Sequence, residues 1–198
     1  FRVNIKEVSC KSLLNPSKLP GLDYCLNPYI GCQHACVYCY AREMSSPRLR
    51  SEVWGEFVDV KINASLILSR EISKRKRGIV GLSTITDPYQ PIEKQYEVTR
   101  KCLNVLLKSD FPISIQTKSS LVLRDIDLIK AFSTQEVGFT IITVRDELRR
   151  LVEPFSSPIE ERLACLRELA NHRVRTWAFV GPILPFVTDD EEDLRRLV

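Results

Sequence analysis

Past residue 55 the chain alternates short apolar runs with amphipathic stretches. EFVDVKINASLILSREISKRKR (56–77) reads as a short strand and then a helix, with Leu66, Ser69 and Ile72 on its apolar side. GIVGLST (78–84) is a short apolar run opened by Gly78. QYEVTRKCLNVLLKS (95–109) sets Val98, Cys102, Val105 and Leu106 on one helical face. FPISIQTK (111–118) is strand-like, DIDLIKAF (125–132) a short helix, and VGFTIITV (137–144) the next β-rich run. SPIEERLACLRELANH (157–172) is a helix with Ser157 as N-cap, Pro158 in its first turn and Glu160 three residues after the cap. VRTWAFVGPIL (174–184) predicts another strand, after which Asp189 would cap a last helix.

Strand followed by helix, repeated, predicts an α/β fold of parallel strands joined by crossover helices. Right-handed crossovers curl such a sheet in one direction. Runs as uniformly apolar as GFTIITV predict burial on both faces. In β/α barrels chemistry gathers where strands end. That singles out the polar residues after each run: Thr86 and Asp87, Thr117 and Lys118, Thr143 and Arg145, and the GPI at 181–183.

Length and composition then set bounds. A chain of 198 residues predicts one domain, and 44% hydrophobic with 27% charged residues is ordinary for a globular protein. The net charge of +4 permits a nucleic-acid or anionic partner without requiring one. No apolar run reaches the roughly 18 residues of a membrane span. No signal peptide is visible, and a cytoplasmic location is expected. Phe1 is not an initiator, and TDDEEDLRRLV reads as a helix just beginning, so both ends are expected to be trimmed. The basic run KRKR (74–77) reads as a solvated helix C-terminus complementing the helix dipole, with a phosphate contact as the alternative.

Seven cysteines, an odd number, do not suit a secreted disulfide framework. Cys102 and Cys165 occupy apolar helical positions and read as buried structural thiols. Cys10 and Cys25 have no assigned place. The remaining three crowd into GCQHACVYCYAR (31–42) as Cys32, Cys36 and Cys39, spaced C-x3-C-x2-C. Thiolates this close bind zinc or an iron–sulfur cluster and point to a reducing compartment. A structural zinc needs four ligands, with His34 as the available fourth, but residues two apart converge poorly on one metal and no second C-x2-C pair exists. Three cysteines holding a four-iron cluster leave one iron open, which favours chemistry over scaffolding.

C-x3-C-x2-C with an aromatic residue before the last cysteine resembles the signature of the radical S-adenosylmethionine (SAM) enzymes. NPYIGCQHACVYCYAR, STITDPYQPIE, TKSSLVLRDIDLI and VRDELRRLVEPFSSPIEERLACLREL, in that order, resemble the spore-photoproduct-lyase-like branch, over roughly residues 22–185. The resemblance implies a partial (β/α)6 TIM-like barrel over 22–198, after an N-terminal extension (1–21), with the cluster loop following the first strand. It implies a 4Fe-4S cluster held by Cys32, Cys36 and Cys39, whose open iron takes the amino and carboxylate groups of SAM. Reductive cleavage of the sulfonium would give methionine and a 5′-deoxyadenosyl radical that abstracts hydrogen from a substrate. An electron donor such as flavodoxin or ferredoxin is implied, with nucleic acid the first substrate guess and no membrane involved.

Residue by residue, the resemblance assigns Tyr38 to the aromatic position whose backbone lies near the SAM adenine and Lys118 to the basic residue at the SAM carboxylate. Thr86 and Thr140 match polar SAM contacts, and Ile183 an apolar position against the adenine. Lys118, Thr86, Thr140 and Ile183 each have a plainer alternative: surface lysine, β-favouring threonine, core isoleucine. Tyr40 resembles a radical-relay tyrosine. Glu153-Pro154 matches an EP motif without an assigned role. Where the lyase has a hydrogen-donating cysteine, this chain has Thr84, whose hydroxyl cannot replace a thiol. Two other readings stay open: a zinc or iron–sulfur nucleic-acid-binding module without catalysis, and a barrel that keeps its cluster only for structure or electron transfer.

Overall fold

The structure, a computed structural model, describes residues 3–43 and 52–197. Among them, five parallel strands lie side by side in chain order: β3 (Tyr24–Leu26), β6 (Val80–Leu82), β7 (Ile113–Thr117), β8 (Gln135–Thr140) and β9 (Arg175–Phe179). Sequential order with parallel pairing is the arrangement that right-handed crossovers produce. A sheet running one way from β3 to β9 is consistent with an open partial barrel. β2 (Leu14–Pro16) adds an antiparallel edge on β3. A separate small sheet joins β1 (Asn4–Val8), β5 (Phe57–Lys61) and β4 (Tyr29–Ile30).

The pleat sorts side chains into two sets. Leu82, Ile115 and Val137 share one register row and pack into the core, with Leu82 at the strand end also reaching the cavity. One residue earlier, Gly81, Ser114 and Glu136 share the next row and line the central cavity instead. A further row runs Gln116, Gly138, Trp177. A Cβ on Gly138 would lie 2.3 Å from the Trp177 ring, so glycine is what lets the indole lie across β8. Bulky branched residues usually fill a β/α barrel; here small and polar residues keep the inside open.

The crossover helices are α1 (Ala64–Ile72), the pair α2 (Glu93–Tyr96) and α3 (Val98–Lys108), α4 (Ile126–Ile129) after a 3₁₀ turn over Ser120–Asp125, and α5 (Asp146–Val152) with α6 (Ile159–Asn171); α7 (Glu191–Leu197) ends the described chain. Cys102 and Cys165 are buried as expected, as are Val98 and Leu106, while Val105 is half-buried. No helix among the described residues is long and apolar enough to cross a membrane.

Several local expectations need correction. The buried side of α1 is Ala64, Leu68 and Ile72, whereas Leu66 and Ser69 are exposed. Spacing of four drifts only about 40° per step around a helix, and Leu66 lies well off that stripe. Ser157 does not cap α6; Pro158 stands there, and the Ser157 hydroxyl accepts from the Ser120 amide at 2.9 Å. Asp190 rather than Asp189 caps α7, accepting from the Asp193 amide at 3.0 Å. The last strand stops at Phe179, before the GPI segment. Arg77 of the basic run lies 3.2 Å from Asp110, with its neighbours exposed.

Candidate functional site

The cysteine loop leaves β4 at Gly31, whose φ of +85° and contact with Phe57 exclude a side chain: a Cβ would sit 2.5 Å from the Phe57 carbonyl. The TDPYQPIE segment after β6 then fastens the loop. Thr86 donates to the Gly31 carbonyl at 2.6 Å. Gln90 accepts from the Gln33 amide at 2.9 Å, and Gln33 in turn accepts from the Ile92 amide at 2.5 Å. Glu93, fully buried, accepts from Tyr29, from the Thr99 amide at 2.9 Å and from Arg124 at 2.6 Å. Motif residues separated by some sixty positions are thus one loop and its clamp.

Asp87 is the centre of this clamp. Its Oδ1 accepts from the Tyr89 amide at 2.9 Å and the Thr117 hydroxyl at 2.7 Å, and its Oδ2 from the Lys118 amide at 2.9 Å. His34 Nε2 stands 3.3 Å from Oδ2, an ion-pair distance without hydrogen-bond alignment. His34 Nδ1 faces the Phe155 carbonyl at 3.0 Å. Burial works against the Asp87 charge, but His34, Lys118 and the Thr117 hydroxyl outweigh it and hold its pKa at about 2. Both nitrogens of His34 therefore face oxygens of other segments, which is not the posture of a fourth metal ligand.

Cys32, Cys36 and Cys39 line a single cavity of about 530 Å³ together with Tyr40, Thr84, Thr86, Lys118 and, deeper in the barrel, Gln116 and Trp177. Among the described residues no three His, Cys, Asp or Glu side chains converge as one metal ion requires. A cluster spreads its ligands over several metal atoms, and three thiols around one cavity suit that. Burial raises all three thiols, that of Cys36 to about 12, and Cys39 adds to the rise at both Cys32 and Cys36. Metal binding here would release protons. Lys118 is half-buried; burial opposes its charge, but Cys36, Glu153 and Asp87 hold it above the ordinary lysine value. A cation kept charged inside the cavity, beside the thiols, is suited to an anionic group of a ligand.

The other expected contacts fall in different places. Tyr38 lies behind the cavity lining, its hydroxyl donating to Glu153, and the Lys118 ammonium is 6.0 Å from its ring centroid. Glu153 Oε2 pairs with Arg162 at 2.6 Å, both side chains fully buried. Thr140 is buried and accepts from the Gln116 amide group at 3.0 Å, one layer behind the lining. Ile183 is half exposed and outside the lining. Tyr40 donates to the Thr84 carbonyl, and Asn27 holds the Thr84 amide at 2.9 Å. Sequence reading singled out Asp87 by its place after a strand and Glu153 by its motif but gave neither a partner, and it missed Gln90 altogether. The signal was present as polar residues within otherwise buried motifs, but their partners lie up to 115 positions away.

Comparison with known proteins agrees with this geometry. The Radical SAM superfamily sequence model matches residues 26–198. An uncharacterised protein of Methanocaldococcus jannaschii is 40% identical over 96% of this chain and 71% of its own length. An uncharacterised protein of Mycobacterium tuberculosis is 35% identical over 99% of this chain and 61% of its own. Among solved structures, spore photoproduct lyase complexed with dinucleoside spore photoproduct superposes with a TM-score of 0.72 at 20% identity, covering 91% of this chain and 52% of the lyase chain. This chain thus spans about half the length of the lyase and roughly two thirds of these curated relatives. From its motif, its sheet and the match across most of its length, the chain belongs to the radical SAM superfamily, whose enzymes generally work with an iron–sulfur cluster and SAM.

Proposed function

We propose that this protein is a radical SAM enzyme whose Cys32, Cys36 and Cys39 hold a 4Fe-4S cluster and whose Lys118 receives the SAM carboxylate. The observation that carries the reading is that three motif thiols and one charged lysine line the same cavity. The bound cluster would supply an electron for reductive cleavage of SAM. This chain's own residues do the rest. Thr86, Gln90 and Asp87 hold the loop that presents the thiols. Lys118 orients the anionic end of SAM. Thr86 lines the same cavity, with its hydroxyl hydrogen already given to Gly31. Buried walls limit water around the reacting atoms.

The substrate reading is nucleic acid or one of its components. It draws on the dinucleoside ligand of the spore photoproduct lyase structure and on a Pseudomonas phage M6 protein named Radical SAM Nalpha-GlyT isomerase, 25% identical over 86% of this chain and 35% of its own. A small electron carrier such as flavodoxin or ferredoxin would serve as reductant, in the reducing cytoplasm that the free thiols suit.

Anaerobic reconstitution with iron and sulfide, reduction, and a 5′-deoxyadenosine assay test this reading. Brown absorbance and 5′-deoxyadenosine formation are expected. One zinc per chain with no SAM cleavage would sink it in favour of a binding module.

A further inference from the structure

Glu153 has no sequence-assigned role, yet it is among the most constrained groups in the molecule. Its side chain is fully buried at the end of α5. One carboxylate oxygen takes the Tyr38 hydroxyl; the other lies 2.6 Å from Arg162, also fully buried. Arg162 is itself anchored on α6, donating to the Thr140 carbonyl at 2.8 Å, the Ser157 carbonyl at 2.8 Å and the Ser156 hydroxyl. Ionic groups this deep are a poor device for stability alone. Apolar residues of the same volume serve as well or better, because desolvation offsets most of the attraction.

The arrangement makes sense from the other end. Tyr38 stands between Cys36 and Cys39, so its backbone is part of the thiol loop. A phenylalanine would fill the same volume; what tyrosine adds is a hydroxyl aimed at Glu153. The ring, fixed at its backbone and at its oxygen, presents itself to the Lys118 ammonium at 6.0 Å, the outer limit of a cation–π contact. Lys118 is the cavity cation. The chain of contacts therefore runs from Arg162 on α6, through Glu153 and the Tyr38 ring, to Lys118 at the end of β7.

We propose that Glu153 is a positioning residue for SAM binding: from its buried pair with Arg162 it fixes the Tyr38 ring, and through that ring the Lys118 ammonium. The inference rests on the reading of the cavity as a SAM site. It is separable from the thiols' own work, because the contacts run through the tyrosine hydroxyl and leave all three sulfur atoms untouched.

Tyr38→Phe, Glu153→Gln and the double variant test it in the reconstituted protein. Both tryptophans of the chain, Trp54 and Trp177, line the cavity, so SAM affinity is read from their fluorescence and confirmed by equilibrium dialysis. Tyr38→Phe keeps the Glu153–Arg162 pair. It should retain full iron content and lose some melting temperature, because one buried carboxylate oxygen is left without its donor, while SAM Kd rises about tenfold as the ring loses its anchor. Glu153→Gln should give a similar rise in Kd together with a lower melting temperature. The double variant should bind no more weakly than the weaker single variant, since one chain of contacts is cut twice. A purely structural role would lower melting temperature without moving Kd. If Glu153→Gln does not fold, Tyr38→Phe still decides. Wild-type SAM affinity in Tyr38→Phe overturns the inference and leaves the site reading intact. Wild-type protein that holds iron yet binds no SAM overturns both.

Discussion

His34 and Asp87 face each other 3.3 Å apart, both buried, where the cysteine loop meets the end of β6. The same carboxylate takes the Thr117 hydroxyl and the Lys118 amide, so one residue joins the thiol loop to the strand that carries the cavity cation. Asp87→Ala would leave a hydroxyl and two amides without their acceptor, and the buried His34 ring without its facing carboxylate. A loss of about 3–5 kcal/mol is expected, read from urea midpoints, with iron retention falling in parallel. Asp87→Asn keeps one acceptor oxygen and should lose less. A midpoint unmoved by Asp87→Ala would show that the loop is held by its other contacts.

The thiols should divide by position. Replacing Cys32, Cys36 or Cys39 with alanine is expected to abolish the cluster, measured as iron and acid-labile sulfide per chain. Cys102→Ala and Cys165→Ala, at buried core positions, should keep the iron and lose about 1 kcal/mol to a small cavity. His34→Ala should also keep iron initially, since its ring faces Phe155 and Asp87. Full iron content in Cys36→Ala would remove that thiol from the ligand set.

Lys118→Ala is expected to raise SAM Kd roughly ten- to a hundredfold, the equivalent of about 1.5–3 kcal/mol for a lost charged contact. Iron content should not change. Lys118→Arg keeps the charge but not the compact ammonium, so only partial recovery is expected. Titration of SAM into reconstituted variants checks both, and equal affinities would take Lys118 out of the site.

How much of this was legible in the chain depends on the range of the interaction. The parallel order of strands and the burial of Cys102 and Cys165 follow from local periodicity, and they stand in the structure. The three clustered thiols were legible because one short segment holds them. The pairing of Glu153 with Arg162 was opaque, because its meaning comes from Tyr38, which no pattern in VEPFSSPIEERLACLREL announces. The Ser157 cap failed for the same reason. Its local signature was correct in form, but a partner 37 residues away, Ser120, claimed the hydroxyl. On α1 the error was local: Leu66 was read onto the stripe that Ala64, Leu68 and Ile72 actually make.

Asp146 offers a pH test away from the thiols. Hydrogen bonds from Arg149 at 3.0 Å through both carboxylate oxygens hold its pKa at about 2, against an ordinary 3.8. Folding lowers this pKa, so the contribution is fully present above about pH 4 and is lost as pH falls through about 2. The side chain is 30% exposed, which trims the figure to about 1 kcal/mol. Asp146→Asn should therefore be less stable than wild type by about that amount at pH 5–7, with the gap closing toward pH 2. Urea midpoints across that range give the measurement; a gap independent of pH would assign the loss to packing.

We propose that Thr84 takes the position at which the resembled lyase keeps a hydrogen-donating cysteine. Its surroundings are ordered: Asn27 accepts from its amide at 2.9 Å, and Tyr40 donates to its carbonyl beside the cavity. An alcohol holds its hydrogen atom far more strongly than a thiol does, so a substrate radical formed near Thr84 would lack a donor there. Wild-type protein should accordingly cleave SAM yet return little thymine from synthetic dinucleoside spore photoproduct. Thr84→Cys, nearly the same size and so cheap in packing, should raise the yield of thymine relative to side products. Asn27 accepts from the Thr84 amide and also donates to its hydroxyl at 3.4 Å; the substitution weakens only the longer contact, so the backbone one should keep the new side chain in place. Anaerobic incubation with that dinucleoside, followed by mass spectrometry, provides the comparison. Clean thymine formation by the wild type would mean that another group donates, with Tyr40 nearest at hand. If neither form consumes the dinucleoside while both cleave SAM, the radical chemistry stands and the substrate is a different molecule.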